Sequence, residues 1–137
     1  MTVEWQSRWP DFKPEEVLSP EGLYALNEGA LLINIEAMDK LQSFRSHLGQ
    51  QIIVNFGTNR LRGYRSPTEN ASIRGARYSM HVQGVAFDIT VPGITVESLA
   101  EQAEAFGWRG IGIYPTRKFV HVDRRPSLRN EPYIWRE

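Results

Sequence analysis

The sequence predicts an α+β domain: a small, mainly antiparallel sheet with flanking helices. Three observations carry the prediction. A long helical periodicity fills the first third of the chain. A second capped helix and a tight hairpin fill the last third, and a 22-residue stretch without periodicity lies between them. At 137 residues one domain over 1–137 is expected, because two would each be too small to bury a good core.

Taken in order, Trp5 to Pro20 mixes Trp, Pro and acids without a period, so residues 1–20 read as an extended lead-in. Within it, Phe12-Lys-Pro-Glu-Glu-Val suggests one short helical turn with Pro14 near its first position. Residues 21–48 give the clearest helical pattern. Leu31, Ile35, Met38, Leu41, Phe44 and Leu48 recur at steps of three and four, and Gly49 ends the run. His47, near that end, fits a surface or capping role. Gln51 to Phe56 is a run of branched residues with strand character. Gly57 to Tyr78 is the unpatterned stretch, and a loop of that length inside a compact domain is often functional.

A strand over Gly84–Ile89 follows, then a turn at Pro92-Gly93. A helix over Val96–Phe106 is capped by Thr95 and stopped by Gly107. Gly110–Tyr114 and Phe119–Asp123 read as two strands around a turn at Pro115–Lys118. The four tryptophans (Trp5, Trp9, Trp108, Trp135) are expected in the core or at its rim, Trp135 near the cleft.

Composition excludes several functions. The chain has no cysteine, so disulfides, thiolate metal cages and thiol nucleophiles are ruled out, and a metal would have to be held by His, Asp or Glu. The 16 Lys+Arg balance 16 Asp+Glu, which argues against a nucleic-acid-coating protein. The balance hides an asymmetry. Residues 1–39 hold eight acids and two bases, whereas Arg60–Arg77 holds five arginines and one acid, Glu69. That arginine stretch is either a solvated loop or an anion-recognising rim. The longest apolar run, Ala30–Ile33, is far too short for a membrane span. The N-terminus lacks a basic region followed by an apolar one, so no signal peptide is expected and the chain is expected to be made, soluble, in the cytoplasm.

Only three histidines exist, and two sit in unusual company: Ser79-Met-His81-Val-Gln-Gly84-Val-Ala86-Phe-Asp88 and Phe119-Val-His121-Val-Asp123. In the second segment strand alternation puts Phe119, His121 and Asp123 on one face and two valines on the other. Zinc accepts imidazole nitrogen and carboxylate oxygen, and a catalytic site keeps three protein ligands with a fourth position open. His81, Asp88 and His121 would supply such a set.

These segments resemble the zinc peptidases of the D-Ala-D-Ala carboxypeptidase and phage endolysin type, peptidase family M15. Upstream, Gly63-Tyr64-Arg65-Ser66-Pro67 resembles that family's Gly-Tyr-Arg-Ser segment, and Trp9-Pro-Asp-Phe12 with Glu15-Glu16 resembles its N-terminal element. The likeness covers roughly residues 9 to 135. It implies the hedgehog/D-Ala-D-Ala-peptidase-like fold, with His81, Asp88 and His121 as ligands of Zn2+. It also implies Arg65 as the residue that positions substrate, with Tyr64 and Ser79 beside it. The activity implied is hydrolysis of peptide bonds in bacterial peptidoglycan stem peptides or cross-links, by a carboxypeptidase or an endopeptidase. The protein would be a monomer needing neither nucleic acid nor membrane, delivered to the wall by a phage lysis system or a virion. The alternative is a zinc-stabilised, catalytically silent wall- or virion-binding module.

One position departs from the resemblance. Many members carry an acid three residues before the last ligand histidine, where this chain has Lys118. Asp123 then either serves as general base or orients His121 through its second ring nitrogen. Arg124 and Arg125 divide evenly between solvated charge and a substrate-facing role.

Overall fold

The computed structural model describes residues 4–126 and 130–137. Its four strands are β1 (Ala86–Ile89), β2 (Gly110–Tyr114), β3 (Phe119–Asp123) and β4 (Tyr133–Arg136), in the sheet order β1-β3-β2-β4. β3 is antiparallel to both β1 and β2, and β4 adds to β2 in parallel. The α+β class and the mainly antiparallel sheet are therefore as expected.

Register decides what each face of the sheet carries. Val122 pairs with Phe87 and Ile111, and Val120 with Ile89 and Ile113. Directly paired residues point the same way, so these six side chains make one apolar face, and all are buried. On the other face His121 pairs with Asp88 and Gly112, and Asp123 with Ala86 and Gly110. One face builds the core and the other builds the site.

The apolar face packs under two helices. α6 (Val96–Phe106) buries Leu99, Ala100 and Ala103. Thr95 accepts from Ser98 N at its start, and Gly107 (φ 99°) closes it in the left-handed conformation, both as the sequence predicts. α4 (Ile35–Leu48) buries Ala37, Met38, Leu41 and Phe44, with Asn34 as its cap and Gly49 as its stop. Trp108 joins the layers: its ring lies edge-on to Phe44 and Phe87, 6.1 and 6.3 Å away. Such aromatic pairs add about 0.5–1.5 kcal/mol each beyond the area they bury.

Five features differ from the sequence reading. The helical pattern over 21–48 is two helices, α3 (Pro20–Asn27) and α4. Ser19 caps α3 through Gly22 N, Gly29 (φ 94°) turns the chain, and Asn34 caps a fresh start, which leaves Leu31 in the connection. The lead-in is not extended: α1 (Trp5–Arg8) and α2 (Pro14–Val17) fold it against the core, with Trp9, Phe12, Val17 and Leu18 buried. Pro14 does open α2 as expected. Asp39 on α4 ties the lead-in down, accepting from Arg8 Nε and Nη2 and from Trp9 Nε1, each at 2.8 Å.

The Gln51–Phe56 run makes no strand. Ile53 forms one antiparallel bridge with Thr90, and then Asn55 N donates to Glu16 O, turning the chain towards α2. The unpatterned stretch contains α5 (Pro67–Ser72), started by a capping box between Ser66 and Glu69. β4 was not predicted. Its residues are mostly exposed, so no alternation of burial marks it.

Candidate metal centre

The site face of the sheet gathers two of the three candidate ligands by register, since Asp88 on β1 is the direct partner of His121 on β3. The third, His81, arrives on the turn before β1. Gly84 (φ 76°) shapes that turn, where a Cβ would press on the backbone of Leu32–Asn34. His81 Nε2 lies 3.2 Å from Asp88 Oδ1, and His121 Nδ1 lies 3.1 Å from the same oxygen. All three residues are buried, and each offers one ligand atom within 4.8 Å of the others. Ligand atoms placed tetrahedrally about 2.0–2.1 Å from a zinc ion stand about 3.3 Å apart. Two imidazole nitrogens and one carboxylate oxygen at this spacing fit such an ion.

Each ring has its remote nitrogen fixed. His81 Nδ1 lies 2.9 Å from Gly63 O, so Nδ1–H donates to that carbonyl and Nε2 is free to bind. The contact depends on Gly63 itself, because a Cβ there would run into the Val17 carbonyl. His121 Nε2 lies 2.7 Å from Asp123 Oδ2. Asp123 is fully buried, and its oxygens also accept from Arg125 N at 2.9 Å, Nε at 3.0 Å and Nη2 at 2.7 Å.

The electrostatics follow the contacts. Burial alone would raise the Asp88 carboxyl, but the charge of His81 and the hydrogen bonds of both histidines outweigh it and hold Asp88 well below the ordinary carboxylate range. Asp123 is held low in the same way, burial being outweighed by His121 and Arg125. Burial would lower His121, but hydrogen bonds to Asp123 and Asp88 raise it instead.

The centre lies in a cavity of about 460 Å³ lined by Arg65, Ser79, His81, Asp88, His121 and Trp135, among others. Arg65 donates from Nε to Asn70 Oδ1 (2.9 Å), from Nη1 to Leu61 O (3.0 Å) and from Nη2 to Ser79 Oγ (3.3 Å). Ser79 Oγ also accepts from His81 N at 3.1 Å, so one hydroxyl braces both the arginine and the ligand turn. Tyr64 is not in the cavity wall. Its ring is buried in the core, against the position where a Cβ on Gly22 would stand. Lys118, with φ 64°, lines an apolar groove with Phe119, Val91 and Leu99 and is not among the residues lining the cavity of the centre. Arg125 does line the cavity, whereas Arg124 pairs with Glu36 at the surface.

Sequence reasoning missed the role of β2. Gly110 and Gly112 face Asp123 and His121, and a Cβ on either would collide with the Asp123–Arg125 pair or the Trp135 ring. The signal was present as Gly-x-Gly opposite His-x-Asp. The space lets Trp135 lie 5.1 Å from His121, ring centre to ring centre, with its Nε1–H donated to Tyr114 OH at 2.8 Å. Arg62 and Arg117 in the cavity wall were also not singled out.

A family model described as Peptidase M15 matches residues 11–123. The chain is 38% identical over 69 residues to the probable peptidoglycan L,D-endopeptidase MepK of Haemophilus influenzae, covering 47% of this chain and 37% of that protein. It is 33% identical over 94 residues to the peptidoglycan L,D-endopeptidase MepK of Escherichia coli K12, covering 65% of this chain and 50% of that protein. The protein of the same name from Shigella flexneri matches to the same extent. The chain thus spans about half the length, or less, of these curated relatives.

Proposed function

The chain belongs to the peptidase M15 family, and on that premise we propose that it is a zinc-dependent peptidase acting as an endopeptidase on bacterial peptidoglycan. One observation carries the metal assignment: His81 Nε2, His121 Nδ1 and an Asp88 oxygen lie close together in the wall of one cavity. The endopeptidase reading, rather than the carboxypeptidase one, follows the names of the relatives. Those relatives come from bacteria, so delivery by a phage draws no support from them.

When bound, zinc would polarise the scissile carbonyl and lower the pKa of a water molecule. The chain's own residues do the rest. Gly63 O and Asp123 fix the two imidazoles so that the correct nitrogen of each faces the ion. Arg65, held by three acceptors and facing no carboxylate of the described residues at hydrogen-bond distance, keeps donors for a substrate carboxylate or carbonyl. Ser79 keeps that guanidinium in register with the ligand turn. Complete burial and the Arg125 fork support the orienting role of Asp123 over the role of general base.

Purified peptidoglycan digested with the protein should release new amino groups and muropeptides severed within the stem or cross-link. Loss of a terminal D-alanine alone would instead favour a carboxypeptidase. A second reading, a metal-holding but silent module, is favoured by one observation: Asp88 is the single acid in the described cavity wall. Zinc binding without any released amino group would select it.

A further inference from the structure

Four arginines line the cavity (Arg62, Arg65, Arg117 and Arg125), against Asp88 as the one acid among the described residues there. Two already face carboxylates of this chain: Arg125 grips Asp123, and Arg117 lies 3.3 Å from Glu137. Arg65 is the residue already assigned to substrate. Arg62 remains.

Arg62 is held by rings rather than by acids. Its guanidinium carbon lies 4.1 Å from the Phe56 ring centre and 4.9 Å from that of Phe119. Its Nε is buried without a hydrogen-bond partner. The nearest acidic atom, Asp88 Oδ2, stands 3.9 Å from Nη1, beyond hydrogen-bond reach. Its backbone is fixed to the centre, since Arg62 O accepts from Asp88 N at 2.7 Å. A cation bound by Asp88 would take up the negative charge that faces Arg62. A guanidinium stacked on aromatic faces keeps its planar fork preorganised for a carboxylate.

We propose that Arg62 is a specificity residue that receives a carboxylate on the substrate residue adjoining the scissile bond, so that the cleft selects peptides carrying an acid there besides the group Arg65 reads. The proposal rests on the peptidase reading above and names the substrate class for the same site.

The test uses the zinc-loaded chain and two synthetic stem-peptide analogues that differ only in a free or an amidated side-chain carboxylate beside the scissile bond. Binding and kcat/KM are both measured. The unaltered protein should prefer the free acid by about 10- to 100-fold, the range of a charge-assisted hydrogen bond. Arg62→Gln should bring the ratio close to one. Arg62→Lys keeps the charge and the stem between the rings but loses the fork, and should lower the ratio by at least about 5-fold. The proposal is overturned if the unaltered protein shows no preference, or if either variant slows both peptides equally and leaves the ratio intact. Arg62-dependent binding of the acid without hydrolysis would remove the peptidase reading and leave Arg62 as the residue that binds the carboxylate. Hydrolysis without preference would do the reverse.

Discussion

Asp123 Oδ2 stands 2.7 Å from His121 Nε2, and that contact leaves Nδ1 as the nitrogen that faces Asp88. Gly110, which pairs with Asp123 across the ladder, has no side chain to obstruct the carboxylate or the Arg125 fork that grips it. The orientation of His121, a candidate ligand, is therefore built into the register of β2 and β3.

Asp123→Asn should fold yet bind zinc about 10- to 100-fold more weakly, the usual cost of losing the group that orients a ligand histidine. Competition with a chromogenic chelator measures it. Unchanged zinc affinity combined with lost turnover would restore Asp123 as the general base.

Arg65→Lys should fold, because an ammonium group keeps the charge and can still donate to some of the acceptors Asn70, Leu61 O and Ser79. A point charge cannot reproduce a planar fork, so kcat/KM on peptidoglycan fragments should fall by about tenfold or more. A variant as active as the parent would remove Arg65 from substrate positioning.

Gly112→Ala places a Cβ 2.6 Å from the Trp135 indole, closer than carbon atoms can approach. Trp135 must move away from His121, and overpacking of this kind costs roughly 1–3 kcal/mol. Thermal unfolding and tryptophan emission report it. An unshifted Tm with unaltered emission would contradict the packing described.

Asp39 holds the lead-in through Arg8 and Trp9, and the hydrogen bond from Arg8 pulls its carboxyl below the ordinary value of 3.8. A carboxyl lowered by folding stabilises the protein above its unfolded pKa and loses that effect as pH falls through the folded value. Asp39→Asn should cost on the order of 1 kcal/mol at neutral pH, solvent screening included. The difference should shrink below about pH 4. Urea titrations at pH 7 and pH 3 compare the two chains, and a gap that widened in acid would reverse the sign of the effect.

Some of this was legible in the chain and some was not, for physical reasons. The candidate ligand His121 could be read because strand alternation sets it with Asp123 opposite two valines, His81 and Asp88 came with the family resemblance, and Thr95 and Gly107 mark helix ends locally. The split between α3 and α4 was obscured because Leu31 keeps the helical spacing while standing outside either helix. The Gln51–Phe56 run has strand composition, but Asn55 bonds to Glu16, and a tertiary contact of that kind leaves no mark on periodicity. β4 lies at the sheet edge with exposed side chains, so burial gives it no alternation. The family resemblance implies Tyr64 beside substrate, next to Arg65 in the Gly-Tyr-Arg-Ser segment. Adjacent residues in an extended segment point opposite ways, and here the arginine takes the cavity and the tyrosine the core.

On the function proposed above, His81, Asp88 and His121 hold the metal on which hydrolysis depends. Release of amino groups from purified peptidoglycan should stop when a strong chelator strips the protein, and return when one equivalent of zinc is added back. Release that continues undiminished in the chelator would contradict the claim.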